Sequence, residues 1–185
     1  MISKYLEMAI KQKSPYVRPE HIEKVLRMST HPQGSPMYNV VMHAASHPNA
    51  SDENLTHALT GYNEDAIQRA IEHKNLKPHH IEEVLRRGLH QHIRHLAYRE
   101  DLEPHHIDKI IEKDKHSHSI IAQNKSTREN HLHTLLEKWP NSGIMKASIA
   151  KHSNTSDEDL KKIASEDSYA GSLAKANLKK REGEK

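Results

Sequence analysis

Apolar residues are arranged along this chain in short stripes that return at a nearly constant interval. Leu55, Ile81, Ile107, Leu132 and Leu160 are each followed, three and four positions later, by a second apolar pair: Ala58-Leu59, Val84-Leu85, Ile110-Ile111, Leu135-Leu136 and Ile163-Ala164. This spacing is one face of an α-helix. Successive anchors stand 26, 26, 25 and 28 residues apart, and Ile22 lies 33 before Leu55. Another stripe falls between anchors and ends in Ala44-Ala45, Ala70-Ile71, Leu96-Ala97, Ile121-Ala122 and Ile149-Ala150. Two helical stripes per interval predict a helix–turn–helix unit. Units of this length that recur in tandem bury their apolar faces only against their neighbours, which is the construction of a solenoid. The predicted fold is therefore all-α, a right-handed α-solenoid of about six helix–turn–helix repeats with a period near 26 residues. It is expected to form one domain over residues 1–177, with a charged, frayed tail over 178–185.

Polar punctuation fixes the phase of the stripes. Pro78 and Pro104 fall where a first helix begins, a position at which the missing N–H costs nothing. Where proline is absent, Ser51 and Ser156 are placed to cap the helix, and the acidic residues behind them suit the positive end of the helix dipole. Gly88 is expected to end the helix that Pro78 starts, after Arg86 and Arg87, and the next helix is expected from about Gln91. Residues 2–12 read as an amphipathic opening helix with Ile2, Tyr5, Leu6, Ala9 and Ile10 on its apolar face. Met28 to Met37 reads as an irregular insertion in the first repeat, which accounts for its longer interval.

The phrase Ala-x-His-x-Asn-Ala/Thr-Ser-Asp-Glu-x-Leu, present at Ala45–Leu55 and Ala150–Leu160, resembles the variant leucine-rich repeat. It is also similar to the short HEAT-like repeats of small, often phage-encoded, proteins. The resemblance spans about residues 17–177 and rests on structural positions, so it implies an α-solenoid and no particular activity. By analogy, the repeat type and size suit a phage-encoded modulator of a host protein. The cysteine cluster of some variant repeats is missing, so no iron–sulfur centre is implied.

Composition agrees with a thin core: 34% of residues are hydrophobic, 4% aromatic and none is Phe. A globule of 185 residues normally carries more apolar mass, whereas a one-dimensional stack needs less. Net charge is +3, too small to pull the chain strongly toward nucleic acid. The 18 histidines make that charge depend on pH, since their ordinary pKa is about 6.5. Without cysteine there is neither a disulfide framework nor thiolate-held zinc. The opening Met1-Ile-Ser-Lys-Tyr-Leu lacks the pattern of a secretory signal, and no apolar run is long enough to span a membrane, so a cytoplasmic protein is expected.

Histidine is the most conspicuous candidate chemistry. His79-His80, His105-His106, His90-x-His92, His116-x-His118 and His131-x-His133 all lack the i, i+4 spacing of a helical metal pair; His43 and His47 have it, but Pro48 ends their helix. His80, His106 and His131 precede the aliphatic anchors and are expected to stack as a polar ladder between repeats. No metal or cofactor is expected. A second candidate is the polar face of the second helices, carrying Arg69, His73, Arg94, His95, Arg99, Lys146, Lys151 and His152. That basic face would suit an acidic protein partner or, as the alternative, nucleic-acid phosphates in the manner of HEAT-like proteins, although Glu64, Asp65 and Glu72 share it. Trp139, the one tryptophan, is expected to pack over a helix end rather than to anchor a partner; Tyr62 and Tyr98 fit either role. Ser, His and Asp are frequent, but none sits in a strained nucleophile turn and there is no Gly-rich phosphate loop. A non-catalytic binding module for a protein is the function expected, with neither a small-molecule substrate nor a membrane as its target.

Overall fold

Helices begin where the capping residues place them. The computed structural model describes residues 2–28 and 33–183, so residues 29–32 of the expected insertion lie outside the described residues. Thirteen α-helices and one 3-10 turn are formed, with no strand among the described residues. The chain divides into two compact units, Met1–Leu96 and Ala97–Lys185, where a single domain is read from the sequence.

The first unit contains α1 (Lys4–Lys11), α2 (Pro19–Leu26), α3 (Pro36–Ala45), α4 (Asp52–Thr60), α5 (Glu64–Ile71), α6 (Pro78–Arg87) and α7 (His90–Ala97), the last ending at the division. They form two layers: α2, α4 and α6 pack in succession, as do α1, α3 and α5, while α2 also touches α3 and α4 touches α5. The anchors Ile22, Leu55 and Ile81 are buried between the layers with Val84, Leu85, Ile67, Ala70 and Ile71. Gly88 ends α6 in the left-handed region at φ +69°, which a side chain would strain. In α1, Ile10 is buried as expected, but Tyr5 is 81% exposed, since one turn of packing against α3 needs fewer apolar positions than the stripe offers.

The second unit contains α8 (Pro104–Lys113), a 3-10 turn (Lys115–Ser117), α9 (His118–Ile121), α10 (Glu129–Lys138), α11 (Gly143–Lys151), α12 (Asp157–Ala164) and α13 (Tyr169–Gly183). Here α8 packs on α10, while α9, α11 and α13 pack in succession, and α12 lies against α11 and α13. Its core holds Ile107, Ile110, Leu132, Leu135, Ile149, Leu160 and Ile163. Ala164, expected inward, is only partly buried.

Side-chain caps start the first helices and tie each to the one before it. Ser51 and Ser156 accept from the N–H groups of Asn54 and Asp159 at 3.2 and 3.0 Å, as their spacing predicts. Helices preceded by Arg18, Lys77, Glu103 or Arg128 have no such hydroxyl. Instead Nδ1 of His21, His80, His106 and His131, at the third helical position, accepts the N–H of those four residues at 3.0–3.2 Å. Histidine thus takes the place of the Glu or Gln of a capping box. The other ring nitrogen reaches the preceding first helix: His80 Nε2 donates to Asp52 O at 3.1 Å, and His131 Nε2 lies 3.2 Å from Asp108 Oδ1. Burial holds the His80 and His131 imidazoles below their ordinary pKa, consistent with one nitrogen accepting and one donating.

The turns after the second helices carry another ladder. Asn49 Nδ2 donates to Val17 O at 2.7 Å, Asn124 Nδ2 to Ala97 O and Arg99 O at 2.7 Å each, and Asn154 Nδ2 to Thr127 O at 2.8 Å. Each such bond joins a turn to the turn before it. The C-terminal segment continues the scheme, in place of the frayed tail expected from residue 178. Through Gly183 it remains in α13, where Asn177 Nδ2 donates to Ala150 O at 2.9 Å. Arg181 donates to Thr155 O, Ser153 O and Asp157 Oδ1, each at 2.8 Å.

Candidate functional site

In the second unit, small side chains leave space beside α11. Ala147 and Ser148 on α11, Ala122 after α9 and Ala170 in the first turn of α13 line an open cleft of about 980 Å³. Its rim is built by Gln123, Lys125, Ile144, Lys146, Lys151, Glu166, Ser168 and Tyr169. Met145, Ile149 and Ala150 already fill the inward face of α11, so Ile144 is turned outward and is 78% exposed. Tyr169, one residue before the buried Ala170, is 69% exposed. Two large apolar side chains therefore stand free at one cleft whose floor carries little more than methyl groups and hydroxyls.

The charges at the cleft are uneven. Lys146 is ion-paired with Glu166, the one carboxylate of the lining. Lys125 reaches out to Glu100 at 2.8 Å, an exposed pair that water screens. Lys151 holds its ammonium 5.7 Å from the centre of the Tyr169 ring, a cation–π contact that leaves its charge available. The lining is thus lysine-rich and apolar at once.

The eight residues of the predicted basic face separate into distinct roles. Arg69, His73, Arg94 and His95 belong to the first unit, and Arg99, Lys146, Lys151 and His152 to the second. Lys146, Lys151 and His152 line the cleft. His73 and His152 are buried in turns rather than displayed on a helix face. His73 Nδ1 accepts the Asn75 N–H at 3.1 Å while Nε2 donates to His47 O at 3.0 Å; His152 does the same with Asn154 N–H at 3.1 Å and Asn124 O at 2.9 Å. The repeated His-x-Asn at 47–49, 73–75 and 152–154 is the sequence signal for this bracing role. Arg69 pairs with Glu72 at 3.1 Å, and Arg99 with Asp101 at 2.6 Å, which holds the Asp101 carboxyl below its ordinary pKa. Arg94 is exposed and His95 partly so. Ile144, Tyr169 and Glu166 were not singled out by sequence. An isoleucine and a tyrosine lying just off the inward stripes of their helices were the available signal.

Two other polar clusters have structural occupations. Asp52, His79 and His80 bring one ligand atom each within 4.8 Å of one another, the arrangement of a metal site. However, Lys77 Nζ lies 2.9 Å from Asp52 Oδ1, pairing that carboxylate with an ammonium, and holds the carboxyl below its ordinary pKa. His80 meanwhile serves its two backbone partners. In the second unit Asp114, Ser117 and His118 are all buried, but the Ser117 hydroxyl donates to Asp114 rather than to His118. His118 Nε2 donates to Ile111 O at 2.8 Å, and Trp139 Nε1 donates to His118 Nδ1 at 2.7 Å. Trp139 packs at a helix end, as expected. Tyr62 and Tyr98 are both exposed, at 82% and 61%.

No known protein family, curated protein or solved structure matches this chain. No helix among the described residues is long and apolar enough to cross a membrane.

Proposed function

We propose that the chain is a non-catalytic binding module whose helix pairs are turns of an α-solenoid and whose target is a protein, engaged by the second-helix layer. The observation that carries this reading is the cleft beside α11, where Ile144 and Tyr169 stand exposed among lysines. Protein interfaces draw their affinity from a few such anchors seated in apolar surroundings. Phosphate binding, by contrast, draws on cations free to displace counterions. Arg69, Arg99 and Lys146 are already engaged by carboxylates on their own surfaces, which supports a protein over a nucleic acid.

The test is affinity capture from lysate by the tagged full chain, with and without nuclease, beside heparin chromatography at moderate salt. Capture of a protein that survives nuclease treatment, with no heparin retention, is the expected result. Heparin retention abolished by Arg94→Glu/Arg99→Glu would replace this reading with the nucleic-acid one.

A further inference from the structure

We propose that the cleft of the second unit takes an acidic peptide segment, one apolar side chain of which sits between Ile144 and Tyr169 while its carboxylates face Lys151 and Lys125. This rests on the reading of the chain as a protein-binding module, and it adds the place and the chemistry of the partner. Three observations converge on it.

The first is shape. A volume of about 980 Å³ floored by Ala147 and Ser148 has room for several residues of an extended or helical segment. The chain's own side chains leave it open, and Ala122, Gly143, Ala147, Ser148, Ser153 and Ala170 in its lining are small. Second, the exposed apolar groups are placed there and are not spare core. The inward positions of α11 and α13 are taken by Met145, Ile149, Ala170 and Ala174, so Ile144 and Tyr169 stay mostly exposed and add little to burial within the unit. Covering them would remove apolar surface from water, the usual source of affinity at such a site.

The third is charge. The lining carries Lys125, Lys146 and Lys151 against Glu166 alone. Glu166 is satisfied by Lys146, Lys125 is held by Glu100 in an exposed, water-screened pair that an incoming carboxylate can replace, and Lys151 meets the face of an aromatic ring, which centres the positive field on Lys151. A segment bearing carboxylates on either side of one large apolar residue complements both features, and charge complementarity of this kind steers encounter and excludes basic partners. Single-stranded nucleic acid fits less well. Stacking of successive bases needs a row of aromatic faces, and this lining offers Tyr169 alone, with an isoleucine opposite that no base requires.

The proposal is tested with a random peptide library displayed on phage and selected on the full chain near neutral pH. Enriched sequences are expected to carry Asp or Glu around a single Leu, Phe or Trp. The most enriched sequence, synthesised with a fluorophore, is then titrated by anisotropy against the wild-type chain, Lys151→Glu, Tyr169→Ala and, as a control in the first unit, Lys74→Glu. Both cleft variants are expected to bind about tenfold more weakly, and the control to match wild type. Because Lys151 and Tyr169 are exposed, circular dichroism of both variants should match wild type, which separates lost binding from lost folding. Absence of enrichment, enrichment of basic or uncharged peptides, or full binding by both cleft variants overturns the proposal. So does displacement of the peptide by oligothymidylate, or a dimer in sedimentation that Ile144→Asp dissolves. A lysate protein held equally by wild type, Lys151→Glu and Tyr169→Ala would overturn the cleft assignment while leaving the protein-binding reading in place. A chain that captures no protein at all would remove both.

Discussion

Trp139 donates its indole N–H to Nδ1 of His118 at 2.7 Å, and His118 passes its own Nε2–H to the Ile111 carbonyl at 2.8 Å. The imidazole is thus fixed in one neutral tautomer between the end of α10 and the last turn of α8. Burial holds its pKa below the ordinary value. Protonation of Nδ1 would set two donors against each other. Acidification should therefore shift Trp139 emission with a midpoint below about 6.5, the ordinary histidine value. Trp139→Phe keeps the ring contact but leaves a buried acceptor without its donor, and should destabilise the chain by about 1–3 kcal/mol in urea unfolding. A variant as stable as wild type would show that this bond does not hold the helix end.

Acid should weaken the whole chain. His43, His47, His80, His118 and His131 all have pKa values lowered by burial. A group whose folded pKa lies below its unfolded one binds protons more readily when unfolded. Its stabilisation is present above about pH 6.5 and is lost as pH falls through the folded value. His133 opposes this trend, because its hydrogen bond to Asp159 raises its pKa; its contribution is present below about pH 6.5 and lost as pH rises through the folded value. With five groups on one side and one on the other, the urea midpoint should fall between about pH 7.5 and about pH 5.5. A flat or rising midpoint would contradict the assigned hydrogen-bond roles.

The capping histidines permit a sharper test. Gln at the third helical position accepts the same backbone N–H without titrating in this range. His80→Gln should keep most of the stability at neutral pH and reduce its loss in acid. His80→Ala should cost about 0.5–2 kcal/mol at neutral pH, the usual value of a lost cap. Chemical denaturation of both variants at the two pH values distinguishes capping from simple space-filling.

Glycine positions differ in the same way. At Gly171 a Cβ would collide with the Glu166 carbonyl oxygen and stand 3.2 Å from Ile163 O, because α13 begins hard against the end of α12. Gly171→Ala should destabilise by about 1–3 kcal/mol, the cost of overpacking. Gly143 opens α11 with nothing within 4 Å, so Gly143→Ala should be neutral or stabilise by up to about 1 kcal/mol. Thermal melts of the two variants moving in the same direction would refute this account.

What was legible from sequence was local. Leu55, Ile81, Ile107, Leu132 and Leu160 could be recognised as core because helical spacing alone decides which face they share, and all five are buried. Ser51 and Ser156 could be recognised as caps because the cap is made within three residues. His73 and His152 were misplaced because a polar residue just past a helix end reads as surface until the backbone N–H two residues on draws it inward. Arg181 looked like tail because its backbone partner lies more than twenty residues away in another turn. The cleft is harder still, since it arises from what Ala147 and Ser148 lack. An absence of bulk has no periodicity to announce it.

The turn-to-turn bonds bear on how a chain like this changes length. Asn49, Asn124 and Asn154 each address the backbone of an earlier turn and not any particular side chain. Carbonyl oxygens are the same in every copy. Duplicating or excising one whole period would therefore present each bracing residue with an equivalent acceptor, whereas a cut of half a period would strand the bond that spans it. Such a ladder makes the repeat, rather than the residue, the step by which the sequence is free to grow or shrink.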